Sequence, residues 1–81
     1  MMISLMDVKE NKVLSVIIEN FNFEYDESIL NTIAVFHNTE EAKIQVDTID
    51  VDYEPSLLGL KEVALRWYRK QPFYLNRYKK N

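Results

Sequence analysis

Carboxylates alternate along one stretch of the chain, at Asp50, Asp52 and Glu54. Alternate side chains of a β-strand point to the same face of the sheet, so these three would lie together. A calcium loop that began at Asp50 would have Pro55 where the sharp turn requires glycine, and Lys61 where a glutamate should bind the metal. We therefore expect no metal, and interpret the row either as a solvated strand face or as an acidic contact surface. That surface would comprise Asp47, Asp50, Asp52 and Glu54.

Residues that support catalysis are scarce. The chain contains no cysteine, and its single imidazole, His37, falls where a strand is predicted to end. Glycine-rich phosphate loops, nucleophile elbows and paired zinc ligands are missing from the sequence. We therefore expect a protein that is not an enzyme, with no catalytic residue, no cofactor and no metal.

Basic and aromatic residues concentrate at the C-terminal end. The last sixteen residues carry six arginines and lysines and no acid, about +6, whereas the first 65 carry four lysines and all thirteen acids, about −9. Five of the ten aromatic residues lie in the same sixteen-residue stretch. Cations that follow phosphates, interleaved with rings that stack on bases, are typical of sites for single-stranded nucleic acid. Such a site would use Arg66, Trp67, Lys70, Tyr74, Arg77, Tyr78, Lys79 and Lys80.

The same composition has a structural explanation. Trp67, Tyr68 and Phe73 could pack at a helix end, and basic residues near a helix C-terminus complement the helix dipole without any ligand. The pI of the chain is about 5.0, whereas a dedicated nucleic-acid-binding domain is usually basic. We therefore treat nucleic-acid binding as the alternative function.

A helix is predicted over residues 57–70, with Pro55 in its first turn or Ser56 as its cap. At about 100° per residue, one arc is apolar and should pack on a sheet: Leu57, Leu60, Val63, Ala64, Trp67 and Tyr68. Leu58 and Leu65 fall outside this arc and line up with Tyr68. Either the helix is buried over more than half of its circumference, or these three residues form an exposed stripe that contacts another chain. Gly59 implies a close backbone approach or a later helix start.

The N-terminal part of the chain alternates as strands do. Residues 2–8 and 13–18 flank a polar corner and predict a hairpin, with a helix through the same stretch as the alternative. The alternation changes phase after Ile18, and a bulge or turn at residues 19–20 would absorb the shift.

A second strand pair is predicted further along the chain. Residues 29–37 and 43–53 are rich in β-branched residues and separated by a short join, so they should be antiparallel neighbours. Because the chain has one glycine, asparagine and aspartate must make the corners, and Asn11 and Asn38 are the expected corner residues.

These elements predict a single α+β domain over residues 1–81. It would be a small antiparallel sheet of about four strands with one C-terminal helix packed on one face. Residues 1–55 would be mainly β, residues 56–71 would form the helix, and residues 72–81 would form a basic aromatic tail or a short second element. A chain of this length without a disulfide buries a small core, so association with a partner would add stability.

From these observations we expect a non-enzymatic protein-binding or regulatory module, such as an inhibitor, an immunity-like protein or an accessory protein. Its partner would be another protein or a second copy of itself, with nucleic acid as the alternative and no membrane. The expected location is the cytoplasm, because the apolar N-terminus resembles a strand more than a signal peptide. The predicted contact residues are Leu58, Leu65, Tyr68, Arg69, Lys70, Arg77, Asp47, Asp50, Asp52 and Glu54.

Overall fold

The computed structural model describes residues 2–8, 13–29 and 31–78, without the side chains of residues 7, 8, 77 and 78. Within this part of the chain, five β-strands are followed by two α-helices. The strands are β1 (Ile3–Val8), β2 (Val13–Ile18), β3 (Phe21–Asp26), β4 (Thr32–Asn38) and β5 (Lys43–Asp50). The helices are α1 (Leu57–Arg69) and α2 (Pro72–Tyr78). The chain is therefore α+β, as predicted.

The strands form one sheet in the order β1-β2-β3-β4-β5, and every neighbouring pair is antiparallel. The predicted hairpin over residues 2–18 is confirmed, and the helical alternative is wrong, because Ile3 faces Ile18 and Val8 faces Val13. The prediction of about four strands was one short. The phase change after Ile18 marks the start of β3, a separate strand, and not an irregularity within a longer one.

Turns join the strands at residues that tolerate unusual backbone angles. The predicted turn at residues 19–20 is confirmed, with Glu19 in the left-handed region at φ 55°. Asn31 adopts φ 65° just before β4. Asn38, predicted as a corner, is instead the last residue of β4. The turn follows it, and the hydroxyl of Thr39 accepts hydrogen bonds from the amides of Glu41 and Ala42. The other predicted corner, Asn11, lies outside the described residues.

Strands β4 and β5 are shorter than predicted. Ile29 lies in a turn and is 60% exposed, because the Asp26 carboxylate accepts hydrogen bonds from the amide and hydroxyl of Ser28 and holds the chain in a corner. Strand β5 ends at Asp50, which faces Thr32, the first residue of β4. Beyond that point the Val51 amide still donates to the carbonyl of Asn31, but the regular pairing of the two strands has ended.

A β-bulge interrupts the pairing of β4 with β5. Val35 faces Asp47 whereas Phe36 faces Gln45, so Val46 is an extra residue in β5. An extra residue reverses which face the following side chains occupy. This bulge is the reason that Lys43 and Asp50, seven residues apart, both lie on the sheet face that is turned away from α1.

The core lies between α1 and the sheet face that α1 covers, which we call the α1 face; the opposite side is the outer face. Helix α1 packs mainly on β2, with further contacts to β1 and β3. The buried apolar residues are Val16, Ile18, Phe23, Tyr25, Ile33, Val35, Leu60, Val63, Ala64 and Tyr68. The helical residues of this set all belong to the predicted apolar arc, so that arc is confirmed.

Helix α1 begins at a serine cap, one of the two starts predicted. The Ser56 hydroxyl accepts a hydrogen bond of 3.1 Å from the amide of Gly59, which satisfies one of the free donors of the first turn. A Cβ at Gly59 would lie 3.4 Å from the Ser56 Oγ and 3.7 Å from the Pro55 Cβ, which are ordinary contacts. Neither a close backbone approach nor a late helix start therefore explains this glycine.

Helix α2 is a second C-terminal helix, so the prediction of one helix was incomplete and the short second element is present. It packs on the sheet through aromatic rings. The ring of Phe21 lies between His37, with centroids 4.8 Å apart, and Phe73, with centroids 5.4 Å apart. The Tyr68 ring contacts both Phe73 and Tyr74. Among the described residues, neither helix has the length and apolar composition needed to cross a membrane.

Candidate functional site

A groove of about 520 Å³ lies between the end of β5 and the C-terminal half of α1. It forms because α1 packs over β1, β2 and β3, so the α1 face of the sheet near β5 is left beside the helix instead of beneath it. Its lining is mostly apolar, with side chains from Ile49, Val51, Tyr53, Val63 and Trp67. Apolar grooves of this size with a few polar side chains are typical of binding sites.

Four charged residues complete the lining, two from each side. Asp50 and Asp52 come from the end of β5 and the segment after it, whereas Arg66 and Lys70 come from α1. The two basic residues are four positions apart and therefore lie on the same side of the helix. The groove can accordingly contact an apolar side chain while pairing with charges of both signs, a combination that a polypeptide presents.

Trp67 is held in place at the groove by a hydrogen bond. Its indole Nε1 donates to Oδ2 of Asp47 at 2.7 Å, and its ring lies against Phe21 and Phe23, with centroids 5.3 and 5.5 Å away. The hydrogen bond from Trp67, together with one from the Thr48 amide, lowers the pKa of Asp47 below its ordinary value of 3.8. The ring is therefore fixed in orientation on the wall of the groove.

The predicted stripe on the helix flank is not exposed as a whole. Tyr68 is buried in the core with 2% of its surface exposed, and Leu65 packs partly buried against the same core. Of the three residues, Leu58 alone is exposed, at 66%. The interpretation of the three residues as an exposed stripe is therefore wrong. The buried arc of α1 is wider than the predicted apolar arc and extends to Leu65. Arg69 and Lys70 are exposed beyond it.

The predicted acidic row does not form one strand face. Asp47 lies opposite Val35 on the α1 face, whereas Asp50 lies opposite Thr32 on the outer face. Asp52 and Glu54 follow the end of β5 and are exposed in the connection to α1. The alternation argument fails here because it assumed a regular strand through residue 54. Asp50 and Asp52 nevertheless border the groove that Arg66 and Lys70 also line, with the side chain of Asp50 on the outer face.

The basic aromatic end folds largely onto the protein. Trp67 and Tyr74 are half-buried, and Phe73 stacks on Phe21. Arg66 is exposed at the groove.

The backbone of α2 includes Arg77 and Tyr78, whose side chains are not described, and Lys79 and Lys80 lie outside the described residues. Most of the described rings that were predicted to stack on bases therefore pack on other rings of the protein.

Strand β5 offers a second feature next to the groove. It is an edge of the sheet within the described residues, and all of its residues except Ile49 are exposed. Ile44 and Val46 expose 53% and 49% of their surface. The edge of a sheet presents backbone donors and acceptors that another strand can pair with. The groove and this edge are continuous, because Ile49 belongs to both.

Potential metal ligands are not clustered in the described part of the chain. No group of three or more histidine, cysteine, aspartate or glutamate residues there is arranged to hold an ion. His37 lies near the end of β4, as predicted, and its ring is stacked on Phe21.

The sequence analysis missed the apolar part of this site. Ile49, Val51, Tyr53 and Val63 were assigned to a strand and to a helix packing arc, without any indication that a groove lies between them. One signal was available for the edge: in a chain of successive hairpins, the last strand before the helix has a neighbour on one side only. The groove itself depends on where α1 crosses the sheet, which the sequence pattern does not specify.

Comparison with known proteins leaves the site to be interpreted from its geometry alone, because no family model, curated protein or solved structure matches this chain.

Proposed function

We propose that this protein is a non-enzymatic protein-binding module that takes up an extended segment of a partner along the edge of β5. The observation that carries the proposal is the continuity between this open edge and the mostly apolar groove beside α1. A segment paired with β5 would gain backbone hydrogen bonds from the edge, and its alternate side chains would face the groove.

The side chains of β5 support this mode of binding. Ile44 and Val46 are half exposed on an edge strand, where soluble proteins commonly place charged residues that prevent strand pairing. The eight residues of β5 make it the longest of the described strands. Its length and its apolar positions therefore favour pairing with another strand.

The groove supplies the means to select one segment over another. The fixed Trp67 ring and the neighbouring Ile49 and Val63 would accept an apolar side chain. Arg66 and Lys70 on one side, and Asp52 on the other, would pair with charges placed in the complementary order. We therefore expect recognition of apolar residues at alternate positions, flanked by charge.

The experiment is to select binders from a displayed library of random peptides on the purified protein. We expect the selected peptides to show alternating apolar residues, to change the fluorescence of Trp67, and to slow amide hydrogen exchange in β5. The test variant carries Ile44→Lys and Val46→Lys, which place on the edge the charges that oppose strand pairing. It should lose the selected peptides.

The control is Leu58→Lys, which introduces one lysine, half of the charge added in the test variant, at an exposed leucine of α1 away from the lining of the groove. This control should bind the peptides as well as the unmodified protein does. The proposal is wrong if no peptide is enriched, or if the enriched peptides bind the double lysine variant and the unmodified protein equally.

A further inference from the structure

We propose that the segment taken up by β5 is the β5 strand of a second copy of this chain. The two strands would pair antiparallel about a twofold axis that passes through the bulge at Val46 and Asp47. This inference rests on the proposed function, because it names the partner for the same edge. It follows from the order of residues along β5, from the faces they occupy and from the direction of their backbone groups.

The sequence of β5 is complementary to itself in this register. Lys43 lies opposite Asp50 of the second copy, so the strand ends carry opposite charges. Ile44 lies opposite Ile49 of the second copy, and Gln45 lies opposite Thr48. The twofold axis repeats each pair, which gives two ion pairs, two apolar pairs and two polar pairs. Cross-strand pairs of these kinds are the ones that stabilise antiparallel sheets.

The bulge makes the register geometrically consistent. In a regular strand, residues seven apart lie on opposite faces, so Lys43 could not meet Asp50 of a second copy. Here the Lys43 ammonium lies 2.5 Å from Glu24 and 4.5 Å from the ring centroid of Phe36, on the outer face. It would turn from Glu24 across the edge of β5 to reach Asp50 of the second copy. Asp50 faces Thr32 on the same outer face.

The apolar pair also shares one face. Ile44 lies opposite His37, and Ile49 lies opposite Ile33, a core residue. Both isoleucines therefore belong to the α1 face, and the twofold axis perpendicular to the sheet keeps that face common to the two copies.

The backbone groups of β5 point in the required directions. The amide of Asn38 donates to the carbonyl of Asn20, towards β3, so Lys43, which faces Asn38, directs its own amide and carbonyl away from β4. The amide of Val51 donates to Asn31, towards β4. Successive residues of a strand alternate in direction, so the amide and carbonyl of Asp50 point outward. By the same alternation, Gln45 and Thr48 also point outward.

Lys43 with Asp50 would thus be a hydrogen-bonded pair between the copies. Gln45 with Thr48 would be a second such pair, formed when the Thr48 amide leaves Asp47 Oδ1, to which it donates at 2.7 Å in the single copy. Ile44 with Ile49 would be a non-hydrogen-bonded pair, in which side chains approach most closely. Ile49 lines the groove, so Ile44 of the second copy would cover one side of it. At the twofold axis the bulges interrupt the pairing between the two β5 strands. The pairing therefore consists of two short runs of paired residues instead of one continuous ladder.

Exchange of the terminal charges tests this register by sedimentation of the purified protein over a hundredfold range of concentration. The unmodified protein should show a dimer that dissociates on dilution. The twofold axis repeats the pair between positions 43 and 50. With Lys43→Asp both of these pairs consist of two acids, and with Asp50→Lys both consist of two lysines. Each variant alone should weaken the dimer roughly tenfold or more.

Two combinations should restore the dimer. An equimolar mixture of the two single variants should form a heterodimer, because each acid at position 43 then meets a lysine at position 50. A chain with both substitutions should form a homodimer again. Positions 43 and 50 are about 23 Å apart along one strand, so this rescue cannot arise within one copy. Loss of folding cannot explain it either, because an unfolded variant would not be rescued by mixing.

The control is Glu27→Lys, which has the same net charge change as Asp50→Lys at an exposed turn residue and should leave the dimer intact. A protein that stays monomeric at every concentration, or a dimer insensitive to both exchanges, would overturn the inference. In either case the peptide selection still tests the proposed function separately. Peptides that bind the β5 edge of a monomeric protein would leave that function standing with a different partner.

Discussion

The indole Nε1 of Trp67 and the carboxylate of Asp47 lie 2.7 Å apart and join α1 to the edge strand β5 by a hydrogen bond. The two residues are twenty positions apart in sequence and belong to elements that otherwise meet across the groove. Because Asp47 follows the bulge directly, this hydrogen bond fixes the bulged strand against the helix.

Removal of the indole donor should loosen this connection. Trp67→Phe keeps a ring beside Phe21 and Phe23 but cannot donate to Asp47. We expect the free energy of unfolding to fall by about 1 kcal/mol, since the hydrogen bond is charged but largely exposed. Urea denaturation followed by circular dichroism measures the change. Asp47→Asn retains an oxygen that can accept from the indole, so it should lower the free energy of unfolding by less. An equal loss in both variants would assign the effect to the charge of Asp47 and not to the indole donor.

The same pair should make stability depend on pH in the acid range. The pKa of Asp47 lies below its ordinary value of 3.8 in the folded protein, because Trp67 and the Thr48 amide stabilise the ionised form. The resulting stabilisation is complete above the unfolded value and is lost as the pH falls through the folded pKa, below 3.8. The NMR resonance of the Trp67 indole proton should therefore titrate with a midpoint below 3.8. A midpoint at or above 3.8 would contradict the hydrogen bond.

The start of α1 should respond to two neighbouring substitutions in opposite directions. Ser56→Ala removes the hydroxyl that accepts from the Gly59 amide and should lower the free energy of unfolding by about 1 kcal/mol. Gly59→Ala should raise it by about 0.5–1 kcal/mol, because the new methyl group meets ordinary contacts and alanine favours the helix. Thermal unfolding of the two variants checks both signs. A loss of stability in Gly59→Ala would show that the glycine has a local role.

The second helix should depend on one aromatic contact. A helix of seven residues is marginal in water without packing, and Phe73 provides a stack on Phe21 together with an edge contact to Tyr68. Phe73→Ala should therefore increase amide hydrogen exchange throughout α2 while the sheet amides stay protected. Leu75→Ala, at a position that is 52% exposed, is the matched control and should leave α2 protected.

Single-stranded nucleic acid should bind weakly at physiological salt. The groove beside the Trp67 ring is bordered by Asp50 and Asp52, and the ring is hydrogen-bonded to Asp47, so three carboxylates near it oppose the approach of phosphates. We expect no saturable change in Trp67 fluorescence when short single-stranded DNA or RNA is added at that salt concentration. Saturable quenching that weakens as salt rises would instead support the alternative function at the basic end of the chain.

The sequence predicted those elements whose pattern repeats within one segment. The hairpin of β1 and β2, the turn at residues 19–20 and the apolar arc of α1 follow from local alternation and helical spacing, because their side chains face a single core. The strand over residues 43–53 was predicted too long since alternation continues past Asp50, whereas pairing depends on where β4 begins. That boundary belongs to another strand and is absent from the local pattern.

The candidate site was harder to predict for the same reason. The basic Arg66 and Lys70 and the acidic Asp50 and Asp52 were assigned to separate surfaces, and the structure brings them to one groove. Tyr68 was placed both in the packing arc and in an exposed stripe, and only its depth in the core decides between them. The bulge at Val46 could not be seen, because an extra residue is defined by the partner strand.

The order of the elements along the chain has a consequence for how the protein is made. Each strand pairs with the one before it, so the sheet can assemble hairpin by hairpin during synthesis, as such local topologies do rapidly. The residues that shelter its apolar side, Leu60, Val63, Ala64 and Tyr68, are translated after all five of the described strands. A nascent chain therefore carries a complete sheet with one uncovered apolar surface until α1 emerges from the ribosome. During that interval the chain is most exposed to aggregation and to capture by chaperones.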